Sequence, residues 1–162
     1  MVAVRAARAD EFEAVGDLTV AAYARNGHLP PGADYLAELR DAAHRAAVAT
    51  LLVAVDPDGA IVGTVAYCGP DSVMAEVARA GEAEFRMLAV HPAAQGRGVG
   101  ALLSGECVRR ARAQGCRAVV LCVIEGNEGA RRLYERMGFT RTPDRDWWPH
   151  PEVALRAFRL SL

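Results

Sequence analysis

The sequence predicts one mixed α/β domain over residues 1–162, and three observations carry that prediction. Short apolar runs of strand type alternate with helical patterns. The stretch from Glu84 to Ile124 reads strand, glycine-rich turn, helix and buried strand, the order of a right-handed parallel crossover. The length suits one core, the composition is that of an ordinary globular protein, and no repeat, linker or low-complexity tract interrupts it.

Val2 to Ala7 alternates and opens the chain as a strand. Asp10 is placed to cap the helix that follows, whose Phe12, Val15, Leu18, Thr19 and Ala22 share a face. Gly27, Pro30, Pro31 and Gly32 break it, and Tyr35, Leu36, Leu39, Ala43 and Ala46 mark a second helix. Thr50 to Asp56 and Ala60 to Cys68 are strands. They are joined by Pro57-Asp58-Gly59, where proline fixes φ and glycine takes the left-handed position. Gly69 to Ala83 reads as a loop, and Glu84 to Val90 as a strand ended by His91-Pro92.

Val99, Leu102, Leu103, Cys107, Val108 and Ala111 define a third helix, with Gly115 just past its end. Cys116 to Ile124 is almost wholly apolar, as a strand buried on both faces must be. Asn127 caps a fourth helix carrying Ala130, Leu133, Tyr134 and Met137, and Gly138 ends it. Phe139 opens another strand, and Val153 to Leu162 alternates as the last. The expected architecture is a mixed, mostly antiparallel sheet flanked by four helices.

Charge and composition exclude several classes. A net charge of −1 with interspersed signs gives no electrostatic footprint for nucleic acid. No apolar run reaches the roughly 20 residues of a membrane span. The N-terminus carries charge by Arg5 and shows no signal-peptide core, so a cytoplasmic location is expected. Cys68, Cys107, Cys116 and Cys122 form no CxxC pair and lie at no zinc-finger spacing, which reads as thiols packed in a reducing compartment, with no metal site.

The segment His91 to Leu103 places Gly96, Gly98 and Gly100 at the entry to a helix. A helix N-terminus has free N–H groups and about half a positive charge, so a diphosphate is a natural guest. A P-loop would need a lysine after its second glycine, and none is present. Gly96 to Ala101 satisfies the loose dinucleotide form G-x-G-x-x-A. Five residues separate it from the strand end, however, and Glu125 is misplaced for the ribose, so a dinucleotide site is the weaker alternative.

Gln95-Gly96-Arg97-Gly98-Val99-Gly100 resembles the pyrophosphate motif Q/R-x-x-G-x-G/A of the GCN5-related N-acetyltransferases (GNAT). Asn127 to Phe139 resembles that family's second signature, an Asn followed by Ala and then Leu-Tyr-Glu-x-x-Gly-Phe. The N-terminal half matches in element order. The resemblance implies an acetyl-CoA-dependent N-acetyltransferase acting on a primary amine, with the cosubstrate between two splayed parallel strands. It places the pantetheine arm along Leu88, Ala89 and Val90, and the pyrophosphate on the N–H groups of Gln95, Gly96, Arg97, Gly98, Val99, Gly100 and Ala101. Arg97 or Arg132 adds charge, and Asn127 holds a pantetheine amide. Tyr134 becomes the general acid near the sulfur.

Glu84 becomes the base, acting through water, with Glu82 as its fallback. Strict alternation puts Glu84 on the face of Leu88 and Val90 unless a bulge intervenes. The resemblance further implies a small-molecule or peptide amine as acceptor, with Tyr23 to Tyr35 and Asp144 to Glu152 as the candidate walls of its site. Asp34, Asp144 and Asp146 are available there to attract a cation, and one of Trp147 and Trp148 to line the pocket. A homodimer through the C-terminal strands is compatible with the pattern. The rival reading is an acyl-CoA-binding module without catalysis.

Overall fold

A computed structural model describes residues 1–29 and 32–162. The expected prolines Pro30 and Pro31 lie outside the described residues. The strands are β1 (Ala3–Ala6), β2 (Thr50–Val55), β3 (Ile61–Cys68), β4 (Glu82–Val90), β5 (Ala118–Ile124), β6 (Thr140–Arg141), β7 (Trp147–His150) and β8 (Val153–Ser161). The helices are α1 (Phe12–Arg25), α2 (Ala33–Arg40), α3 (Ala42–Val48), α4 (Val99–Ala113) and α5 (Glu128–Arg136). The sheet runs β1-β2-β3-β4-β5-β8-β6, with β7 paired to β8. All its pairings are antiparallel except β4–β5.

Among the described residues five helices stand where four were expected, because Asp41 splits the second. Its backbone leaves the helical region, and its carboxylate accepts the His44 N–H at 3.1 Å, which starts α3. At the first helix the expected cap, Asp10, is exposed, and Glu11 is the residue that works there. Its carboxylate accepts the Arg8 N–H at 3.0 Å and the Arg5 guanidinium at 2.9 Å, tying the helix entry to β1. The strand expected at Phe139 shrinks to Thr140–Arg141, and the extended pair β7 replaces an expected loop.

The main core lies between the sheet and α4 with α5, where Leu103, Cys107, Val119, Leu121 and Phe158 are buried. Close approach of α4 to β3 depends on Gly63, since a Cβ there would stand 2.8 Å from Val99 Cγ1. The opposite face of the sheet is covered by α1 and α3 through Val15, Ala42, Leu51 and Val53.

The feature that shapes the site is in β4. Ala66 pairs with Arg86 and Thr64 with Ala89, so β4 spends three steps where β3 spends two. The extra residue is Met87, at φ +53°. This is a β-bulge, and it bends the strand and reverses the side-chain alternation beyond it. Phe85, Leu88 and Val90 therefore all pack on the α4 side, while Ala89 packs with Leu18 and Ala22 of α1. The parallel pairing with β5 stops after Glu82, Ala83 and Glu84, and the strands part.

Candidate active site

The splayed ends of β4 and β5 enclose a cleft of about 480 Å³. Leu88, Ala89 and Val90 form one wall, Leu121 to Ile124 the other, and the glycine loop and α5 close it. His91 ends β4 and accepts the Ala93 N–H on Nδ1 at 3.1 Å, starting the turn into the loop. Gln95 ties the loop back by donating to the Val90 carbonyl at 3.3 Å. Gly96 and Gly98 both hold φ near +80°, a conformation other residues adopt only with strain. Apart from the adjoining residues, no atom of the described residues lies within 4 Å of where a Cβ would stand on either, so a ligand can approach that backbone closely.

Between Gln95 and Ala101 no backbone N–H donates to an acceptor among the described residues; Leu102 is the first to do so, to Gly98 at 3.1 Å. The α4 dipole adds positive potential at the same point. These groups fit a diphosphate. Gly100 has a different reason to be small, since a Cβ would stand 3.3 Å from Leu133 Cδ2 where α5 crosses α4. Arg97 and Arg132 are exposed and neither lines the cleft, so their contact with a phosphate is not prearranged.

Asn127 lines the cleft, and its side-chain oxygen accepts the Ala130 N–H at 3.2 Å, which leaves its amide hydrogens to donate elsewhere. Tyr134 also lines the cleft, its ring edge-on to Phe85 and Phe139 at 5.8 and 5.7 Å. Burial pushes its phenol above the usual value, so it stays protonated. Ser104, which the sequence pattern did not single out, is fully buried beside it; its hydroxyl makes no hydrogen bond of good geometry among the described residues.

The two glutamates proposed as bases are elsewhere. The bulge at Met87 turns Glu84 away from the face of Leu88 and Val90. Its buried carboxylate accepts the N–H groups of Val77, Ala78 and Glu76 at 2.8, 2.9 and 3.1 Å. Burial raises its pKa and those three donors oppose the rise. Glu82 is buried at the closed end of the strand pair. Burial alone would raise its pKa, but hydrogen bonds from Arg145 and Arg159 outweigh that and bring it down to about 2. Neither carboxylate lines the cleft.

The expected acceptor walls divide. From the first, Tyr23, Asn26 and His28 line the cleft. The second contributes nothing to it. Trp148 is exposed beneath Arg156, Asp144 pairs with Arg79, and Asp146 is held by Arg141 and Arg156. Arg86, Met87 and Cys122 reach the cleft unforeseen, because their position depends on the bulge and the parting of the strands. Burial pushes the Cys122 thiol up to about 12, so it is no nucleophile near neutrality.

A splayed parallel pair, a glycine loop whose amides lack protein acceptors and a tyrosine on the next helix thus share one cleft. The chain belongs to the acetyltransferase (GNAT) family, which it matches over residues 12–139. It is similar to mycothiol acetyltransferases: 38% identical over 89 residues to that of Beutenbergia cavernae and 45% over 58 residues to that of Streptosporangium roseum. Those matches take in 55% and 36% of this chain but only 27% and 17% of the relatives' own lengths.

Among solved structures, a GNAT-family acetyltransferase of Staphylococcus aureus superposes over all of this chain and 99% of its own, with TM-score 0.78 at 14% identity. A GCN5-related N-acetyltransferase of Kribbella flavida covers 99% of this chain and 98% of its own, with TM-score 0.67 at 26% identity. YncA of Salmonella typhimurium, solved with its cofactor acetyl-CoA, covers 100% and 94% with TM-score 0.68 at 20% identity. Among the described residues no helix is long and apolar enough to cross a membrane.

Proposed function

We propose that this chain moves an acetyl group from acetyl-CoA to a primary amine by direct attack in a ternary complex. The observation that carries the reading is the run of free amides from Gln95 to Ala101 at the mouth of a cleft between splayed strands. When bound, acetyl-CoA supplies an already activated thioester, so no covalent enzyme intermediate is needed. The loop amides hold the diphosphate. The unpaired backbone edge at Leu88 and Val90 binds the extended pantetheine arm as an added strand would. Asn127 donates its free amide hydrogens to the same arm.

Two proton movements complete the chemistry. The phenol of Tyr134, protonated at neutral pH, protects the departing thiolate by donating to it. An alkylammonium near pKa 10 must first lose a proton to become a nucleophile. The titratable groups lining the cleft are Tyr23, His28, Arg86, Cys122, Tyr134 and Arg136. Burial raises the tyrosines and Cys122, and a guanidinium offers no acceptor atom, which leaves His28. Partial burial lowers the imidazole pKa, so His28 is neutral and able to accept a proton, directly or through water.

Calorimetry with acetyl-CoA, CoA and NADH tests the reading. Acetyl-CoA and CoA should bind, NADH should not, and Gly98→Glu should abolish binding. A screen of amines for CoA release should then find an acceptor. Binding of NADH alone, or of nothing, would sink the proposal. Tight acetyl-CoA binding with no amine turned over would favour the non-catalytic module.

A further inference from the structure

A second cavity, of about 430 Å³, opens on the other side of β4 between α2, α3 and the loop leading to β4. The two cavities meet at the bulge, because Arg86 and Met87 line both. The floor of the second is cationic. Arg45 is 2% exposed and lines it. Its guanidinium donates to the Glu38 carbonyl at 2.9 Å and reaches Thr19 Oγ1 only at 3.5 Å. No Asp or Glu among the described residues forms an ion pair with it, whereas Arg145, whose side chain is 7% exposed, sits on Glu82.

Arg86 donates to the Met74 carbonyl at 3.0 Å and forms two long ion pairs, to Glu76 at 3.6 Å and Glu84 at 4.0 Å, neither of them within hydrogen-bond distance. A buried guanidinium without a carboxylate, as at Arg45, is costly, and a planar two-oxygen anion matches its fork.

The rim has the opposite sign. Glu38, Asp41 and Glu76 line it and are exposed, with His44 beside them. Asp41 already accepts the His44 N–H. A cationic floor under an acidic rim disfavours a dianion and suits a molecule carrying one negative and one positive group.

We propose that this cavity receives the carboxylate of the acceptor, and that the acceptor is a zwitterion of the amino-acid type. Arg45 and Arg86 hold the carboxylate, and the amine is directed past Met87 into the cleft. The assignment of this pocket to the acceptor rests on the acetyl-transfer reading; the carboxylate site itself does not.

Two measurements separate the two ideas. In the first, the Nε–H signals of Arg45 and Arg86 are followed by NMR, assigned with Arg45→Lys and Arg86→Lys, during titration with sodium acetate and with sodium phosphate. Acetate should shift both signals saturably, and at lower concentration than phosphate does. No saturable shift, or a preference for phosphate, overturns the carboxylate site.

In the second, α-amino acids and their carboxamides are compared as acceptors by CoA release. The acids should be turned over with kcat/KM at least tenfold above the amides. Arg45→Lys should raise KM for the acids by a similar factor and change kcat much less. Equal turnover of acids and amides overturns the proposal while leaving acetyl transfer intact. Acetate binding without any turnover supports the anion site and defeats the transfer reading instead.

Discussion

A carboxylate oxygen of Glu84 lies 2.8 Å from the Val77 amide nitrogen and 2.9 Å from that of Ala78, so this glutamate holds a loop in place. Glu84→Gln keeps one oxygen for these donors but sets an NH2 against the Glu76 N–H, 3.3 Å from the second oxygen, and removes the negative charge they share. The expected loss is about 1–3 kcal/mol of stability, read from the urea midpoint. The shape of the pH profile of kcat/KM should be unchanged. A lost limb in that profile would restore Glu84 as the base.

His28 gives the opposite signature. Its folded pKa lies below the ordinary imidazole value of about 6.5. Only the neutral ring accepts a proton, so kcat/KM should fall as pH drops through that lowered value and stay level just above it. His28→Gln should cost about 10²-fold in kcat/KM at neutral pH. An unaltered profile would remove His28 from the mechanism.

Tyr134→Phe keeps the ring against Phe85 and Phe139 and deletes the hydroxyl. We expect kcat to drop about 10²-fold with acetyl-CoA affinity unchanged by calorimetry. Full turnover in this variant would end the acid assignment.

Gly98→Ala forces a Cβ onto a residue at φ +80° at the start of α4. The conformation costs about 1–2 kcal/mol for a residue with a side chain. The added methyl also enters the space beside the free amides, so acetyl-CoA affinity should fall about tenfold or more, near 1.4 kcal/mol. Equal affinity would show that the ligand keeps its distance from this loop.

Glu82 predicts acid sensitivity. Its folded pKa of about 2 is below the unfolded value of 4.5, so its contribution is complete above 4.5 and is lost as pH falls toward 2. Urea midpoints measured from pH 6 downward should decline through that window. Glu82→Gln should flatten this part of the curve and cost about 3–5 kcal/mol at neutral pH, because Arg145 and Arg159 lose their counter-charge. A decline of the same steepness in the variant would assign the acid sensitivity to other groups.

The element order and the glycine loop were legible because each rests on local chemistry: periodicity, caps and turn residues. What the sequence concealed was non-local. Nothing in Phe85-Arg86-Met87-Leu88 announces a bulge, since the glycine that marks a left-handed bulge position is missing and the extra residue is a methionine. Strict alternation therefore carried Glu84 to the wrong face. Asp41 was a readable helix cap inside a continuous apolar pattern, and the pattern hid it. Asp144 and Asp146 looked available because their arginine partners, Arg79, Arg141 and Arg156, are supplied by other strands and loops.

The parallel seam between β4 and β5 is three residue pairs long, and past it the sheet is split. The tip of that split is the pair Glu84 and Val120, and any force that wedges the cleft wider concentrates there, as stress does at the tip of a crack. Glu82 sits two residues behind the tip, at the far end of the seam. Arg145 and Arg159, which bond it, both come from the chain beyond β5, on the far side of the parting. The ion cluster is a rivet behind the tip: it joins the two half-sheets at the last pair a tear would have to reach.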